Sequence, residues 1–227
     1  MLWQPRPAEG RACVNDYQHV TSVGTFASLS QHAPYLDPVD YHSLAEITVE
    51  SSDLKQIVEV GWTIDRAVNG DTSPHLFVYH WVNGAGTCYN GCGWQQVSTT
   101  RRPGMTVAVT ATPQSYWIEL WNGNWWISYQ NEWIGYFPGT LWDGVYTQGG
   151  LTQWFGEVSA STASPATDMG NGIFGSQAGS AVVQDLWNLN TDYQWVAASA
   201  SSSATNRSYY DNGALQPTSF RYGGPGR

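Results

Sequence analysis

Three observations predict an all-β fold for this chain: an antiparallel β-sandwich of two stacked, curved, lectin-like sheets with little or no helix. No stretch of ten or more residues carries a 3.6-residue apolar period. Short alternating or β-branched runs recur about every 8–12 residues between Gly, Asn and Pro turns, the pattern of sandwiches and barrels. Asn122-Gly123 lies between two aromatic runs, 116–121 and 125–129, and Asn-Gly in that setting is the strongest short-range hairpin signal.

The elements follow in order. Residues 1–12, with Pro5, Pro7, Glu9 and Gly10, are expected to be an irregular leader, and 13–227 one domain, since no break in composition divides it. Short alternations occupy 16–29, and 31–41 is a loop carrying Pro34 and Pro38. Leu44, Ile47 and Val49 mark a strand over 42–50, and Ser51-Ser52-Asp53 turns the chain into a β-branched run at 57–62. After a loop over 65–74 come an aromatic strand at 76–81, a Gly-rich segment at 82–93 and an alternation at 105–111. The hairpin is continued by 134–137 and Leu141-Trp142, and Gly149-Gly150 precedes a strand at 153–158. Residues 159–180, rich in Ser, Ala, Thr and Gly, are expected to form a long surface loop tied to the site, followed by late strands at 181–189, 193–197 and 220–222.

Composition narrows the function. A net charge of −9 with a single lysine, Lys55, argues against nucleic acid, because a phosphate binder needs a basic face. No apolar run approaches the ~20 residues that span a bilayer. The start has no apolar signal-peptide core, so the sequence is expected to be either cytosolic or the mature or trimmed form of a secreted protein. Trp and Tyr number 13 each against 6 Phe, an excess of aromatics with a polar handle, suited to sheet faces and to substrate grooves.

No metal motif is present among the five histidines, and His75 and His80, at odd spacing on one strand, point to opposite faces. No nucleophile elbow, phosphate loop or dinucleotide fingerprint occurs. Cys88 and Cys92 read as a small disulfide loop in preference to half a zinc site, which has no second Cys/His pair near it, and Cys13 is left as a free thiol. Of seven glutamates, Glu46 and Glu50 are expected to be solvated near turns. Glu59 and Glu157 each sit in a β-branched or aromatic run beside Val and Gly, with a Trp three residues away. A carboxylate in such a run is either an outward-facing surface group or a buried one with a partner. Two carboxyls close together do not both ionise cheaply, so one keeps its proton, giving an acid and a base in one site. That pair serves peptide hydrolysis or glycoside hydrolysis. A non-catalytic carbohydrate-binding sandwich, with its aromatics as sugar platforms, is the alternative from another class.

The order Glu59-Val-Gly-Trp62, Gly70-Asp71, Leu76-Phe77-Val78-Tyr79, Cys88-Tyr89-Asn90 with Cys92, Gly149-Gly150, Gly156-Glu157-Val158 and Tyr222-Gly223-Gly224-Pro225-Gly226 resembles the neprosin family; His42-Ser43-Leu44-Ala45 with Val49-Glu50-Ser51 fits as well. The resemblance implies a secreted, acid-active glutamic endopeptidase on an antiparallel β-sandwich. It also implies catalytic glutamates at Glu59 and Glu157, a disulfide between Cys88 and Cys92, no cofactor and no metal. Its substrates are expected to be peptides or denatured proteins, proline-rich ones among them, cleaved after proline by a monomer with no membrane partner. Tyr79 and Trp154 are the expected lining of the proline slot. Against plant relatives, the sequence is expected to depart in having no amino-terminal pro-region and no carboxy-terminal cysteines. The family's Tyr-Trp pair reads Tyr79-His80, a change expected to alter the cleft.

Overall fold

The computed structural model describes residues 10–214 and 216–227. In chain order the strands are β1 (Gly10–Ser22), β2 (Gly24–Gln31), β3 (His42–Glu50), β4 (Ile57–Asp65), β5 (His75–Val82), β6 (Ala85–Gly86), β7 (Gln95–Gln96), β8 (Thr110–Trp121), β9 (Asn124–Tyr129), β10 (Glu132–Pro138), β11 (Gly149–Ala160), β12 (Ala181–Leu189), β13 (Trp195–Ala197), β14 (Ser201–Ala204), β15 (Asp211–Asn212) and β16 (Ser219–Gly223). A one-turn helix α1 (Arg66–Asn69) follows β4, and a 3-10 turn (Gly139–Trp142) follows β10. The strands form two antiparallel sheets: a seven-stranded one in the order β14-β1-β11-β3-β4-β5-β6, and a nine-stranded one in the order β15-β16-β12-β2-β8-β9-β10-β7 with β13 beside β12. The predicted all-β sandwich is what the chain adopts.

Side-chain alternation builds the layers. On β3 and β4 the residues Ala45, Ile47, Val49, Val58, Val60, Trp62 and Ile64 turn inward and are buried between the sheets. Their neighbours at odd positions of β4 and even positions of β3 necessarily face the other way. Much of the Trp and Tyr excess is absorbed by this core, where several of the polar handles find a backbone carbonyl. Trp62 Nε1 donates to Ser30 O at 3.0 Å and so ties β4 to β2 across the sandwich. Trp142 Nε1 donates to Trp81 O at 2.7 Å, and Tyr146 Oη donates to Val49 O at 2.7 Å.

The hairpin forms as expected. Asn122 (φ 48°) and Gly123 (φ 72°) both take left-handed conformations, which a tight turn matching the strand twist requires. Two expectations are corrected. Residues 1–9 of the supposed leader lie outside the described residues, but Gly10, Arg11 and Ala12 open β1, paired with Ala160, Ser159 and Val158 of β11. Of the alternating stretch 105–111, only Thr110 and Ala111 enter a strand. The rest binds the start of β5 through Leu76 N→Met105 O and Val107 N→Pro74 O, and Val109 is exposed, so the alternation has no second face to bury. The segment after β11 is less superficial than its composition suggests, since Thr167 and Met169 are fully buried.

Candidate active site

The outer face of the seven-stranded sheet carries a cavity of about 760 Å³, lined by Arg11, His42, Glu46, Glu59, Asp65, Tyr79, Trp81, Tyr89 and Glu157 among others. Period-two alternation delivers these side chains from four adjacent strands and from β1. Glu157 on β11 lies opposite Leu44 of β3 on one side and Cys13 of β1 on the other. Glu59 on β4 lies opposite Thr48 of β3 and Tyr79 of β5. The two glutamates therefore share the cavity but not a strand pair. They are two strands apart and four residues out of register, roughly 16 Å between Cα atoms in a flat sheet. Glu46 on β3 stands between them, paired with Phe155 and Gly61, one diagonal step from each.

All three carboxyls are buried: Glu59 is 4 % exposed, Glu157 1 % and Glu46 2 %. The expectation of a solvated Glu46 and Glu50 is thus overturned, because β3 is a central strand and its even positions lie under the cavity walls. The environments push the carboxyls apart. Around Glu157, burial raises the pKa, but the Arg11 guanidinium, the hydrogen bond and charge of His42 and the Cys13 thiol together outweigh it and hold the group below the usual glutamate range. Arg11 Nε is 3.2 Å and His42 Nε2 2.8 Å from Glu157 Oε1, and Cys13 Sγ donates to Oε2 at 3.3 Å. His42 is backed by Asp65, whose Oδ2 lies 3.9 Å from Nδ1. Among the described residues Glu59 has no such cation. Burial raises its pKa to about 8, against a lowering hydrogen bond from Trp81 Nε1 at 2.8 Å, with Glu50 and Glu157 adding repulsion. Burial first, then the charges of Glu59 and Glu157, raise Glu46 well above the ordinary value. Of the three glutamates, Glu157 is the one held ionised near neutrality, with Glu59 and Glu46 kept protonated beside it.

Two glycines allow close packing in the strands of the floor. A Cβ at Gly61 would meet Ala45 O at 2.0 Å and the Glu46 Cβ at 2.7 Å, so any side chain there would displace Glu46. Gly156, which turns to the other face, instead receives the Tyr222 ring, 2.3 Å from where its Cβ would stand.

One wall is aromatic. Tyr79 packs on Tyr89 (4.9 Å between ring centres) and on Trp81 (5.7 Å). Tyr89 is held there by the Cys88–Cys92 disulfide and by Asn90, whose N donates to Val78 O and whose Oδ1 accepts from Val78 N. The expected disulfide is present, and Cys13 is a free thiol as expected.

Tyr79 lines the cavity, but Trp154 does not. Three residues from Glu157, it faces the opposite side of β11, fully buried, with Nε1 donating to Thr25 Oγ1 at 3.0 Å. His80 is corrected in the same way: it turns inward against Phe137 and Trp142 (4.4 and 5.4 Å), so the departure at this position leaves the cleft surface untouched. The side chains holding Glu157 were missed. Arg11 and Cys13 fell in or beside the supposed leader, yet they alternate with the buried Ala12 and Val14, a period-two signal pointing to a strand.

Replacing Trp81 with Phe removes one hydrogen bond to Glu59 and keeps the ring. The Glu59 carboxyl is then expected to titrate about 0.7 unit higher, from a bond worth ~1 kcal/mol; an unchanged Glu59 titration followed by NMR would show that Trp81 does not tune it.

A family model described as Neprosin matches residues 39–225. The chain belongs to the neprosin family. Glu46, Glu59 and Glu157 lie inside the matched neprosin span, whereas Arg11 and Cys13 precede it. Among solved structures the chain is similar to that of Scytalido-glutamic peptidase with a peptide-based transition-state analogue, with a TM-score of 0.52 and 7 % identity over 92 % of this chain and 97 % of that one. Lower-scoring similarities are to chicken galectin 2 (TM-score 0.36, 7 % identity, 66 % and 95 % covered) and to the carbohydrate-binding module CBM66 from Bacillus subtilis (0.36, 11 %, 64 % and 78 %).

Proposed function

We propose that this neprosin domain is a glutamic endopeptidase in which Glu157 is the general base and Glu59 the general acid, acting outside the cell on peptides and unfolded proteins and cleaving after proline. The observation that carries this reading is the contrast within one cavity between a carboxylate kept ionised by Arg11 and His42 and a carboxyl kept protonated by burial. Glu157 takes a proton from water as the water oxygen attacks the scissile carbonyl carbon. Glu59 donates to the oxygen that becomes negative. Collapse of the tetrahedral intermediate breaks the C–N bond, Glu157 passes its proton to the leaving amine, and the proton shared with the oxyanion returns to Glu59. The compact proline ring suits the wall of Tyr79, Trp81 and Tyr89. The disulfide supports an oxidising compartment.

The test is digestion of denatured casein or gluten peptides with mass-spectrometric mapping of the cut sites. Cleavage insensitive to pepstatin and enriched after proline is expected; cleavage without that enrichment removes the proline slot but leaves the peptidase. No cleavage with binding to a glycan array would replace the reading with a carbohydrate-binding one. The profile of kcat/KM is expected to rise through a pKa below the ordinary glutamate value, set by Glu157, and to fall near 8, set by Glu59. Activity therefore extends from acid toward neutrality.

A further inference from the structure

We propose that Glu46 is a third catalytic carboxyl, which holds the attacking water between Glu157 and Glu59. The inference rests on the peptidase reading and adds a residue to it. The register supplies the first argument. With β3 between β11 and β4, and Glu59 and Glu157 four residues out of register, the line joining them passes over Glu46. A water or scissile carbonyl in reach of both outer carboxyls lies above this side chain.

The second argument is the state of its oxygen. Glu46 lines the cavity and is 2 % exposed, yet its Oε2 is buried with no hydrogen-bond partner among the described residues. Leaving such an atom unsatisfied costs about 1–3 kcal/mol, so it calls for a hydrogen-bonding guest. Gly61, its cross-strand neighbour, has no side chain to push it aside: a Cβ there would meet Glu46 Cα and Cβ at 2.7 Å. The surrounding groups leave it a single role. Arg11, His42 and Cys13 engage Glu157, and Trp81 engages Glu59. Buried among these carboxyls, Glu46 stays protonated, and the oxygen of a protonated carboxyl that carries no proton is an acceptor. One hydrogen of the water then points to Glu157 and the other to Glu46, which leaves a lone pair of the water oxygen aimed at the carbonyl carbon. Only the proton given to Glu157 is transferred.

The test compares Glu46→Gln, Glu46→Leu and Glu46→Ala with Glu157→Gln on one fluorogenic peptide, with Tm measured for each. Gln keeps an acceptor oxygen and is expected to retain kcat within about threefold. Leu removes the acceptor and is expected to lower kcat by about 10²-fold with KM little changed. Should the Leu variant fail to fold, the Ala variant decides: its loss of kcat should be partly restored by added formamide, which carries an amide oxygen into the gap. A Leu variant within threefold of wild type, a Gln variant as impaired as Leu, or no formamide rescue of a folded, impaired Ala variant overturns the proposal. The same assay separates this from the underlying reading. Glu157→Gln inactive with Glu46→Leu active defeats the role of Glu46 alone, whereas Glu157→Gln at wild-type rate defeats both.

Discussion

Replacing Glu157 with Gln is expected to lower kcat/KM by about 10³-fold, within the range that removal of a general base produces. Gln has the same size and still accepts from His42, so the cavity keeps its shape while the base is lost. The charge change is local. Arg11, 21 % exposed through its side chain, keeps contact with solvent, which softens the cost of losing its anionic partner. Glu59 gives a different pattern. Glu59→Gln retains a neutral donor for the developing oxyanion and should be the milder change, whereas Glu59→Leu removes the donor and should cost about 10²–10³-fold. The alkaline limb near 8 should vanish in both Glu59 variants, because its titrating group is gone. Steady-state kinetics from pH 3 to 9, with circular dichroism as a fold control, measure this. Near wild-type turnover in Glu157→Gln or Glu59→Leu would show that the pair is not the catalytic machinery.

Stability should fall as pH rises from about 4 to 8, unlike that of most proteins, whose maximum lies at roughly pH 5–8. Burial raises Glu59 to about 8, Glu50 to about 7 and Asp16 to about 6, and it raises Glu46 as well. Between the ordinary value of each group and its folded value, the folded chain holds a proton that the unfolded chain has released. The slope of unfolding free energy against pH is then negative, and the stabilisation present below the unfolded pKa is lost as pH rises through the folded one. Glu157, held below its ordinary value, acts in the opposite direction, at lower pH. One pH unit is worth at most ~1.4 kcal/mol per group, so the buried set should lower Tm by roughly 20 °C or more across the window. Thermal unfolding at pH 4.5, 6 and 8 checks this, and a Tm that stays level or climbs would mean that these carboxyls are hydrated or ion-paired.

Much of the fold is written in local patterns. The Asn122-Gly123 turn, the alternating runs and the absence of a helical period each follow from short-range chemistry, and each matches the structure. The same local reasoning singled out Glu59 and Glu157, because a carboxylate in an apolar strand is unusual wherever the strand lies. It failed where the answer depended on neighbours far along the chain. Glu46 and Glu50 look solvated beside a turn until β11 and β4 close over β3 on both sides. Trp154 looks like cleft lining until its parity on β11 sends it to the core, and His80 likewise turns away from Tyr79.

By itself the sequence determined the all-β class, the hairpin, the disulfide loop and the two unusual glutamates, since each depends on residues within a few positions of one another. Only the tertiary structure decided that Arg11, Cys13 and His42 gather on Glu157 while Trp81 donates to Glu59. Pairing of β1 with β11 and of β4 with β5 brings those groups across as many as 144 residues of chain. A carboxyl's proton affinity depends on burial and on the charges beside it, which is why the proposed assignment of base and acid rests on the paired strands and not on the sequence.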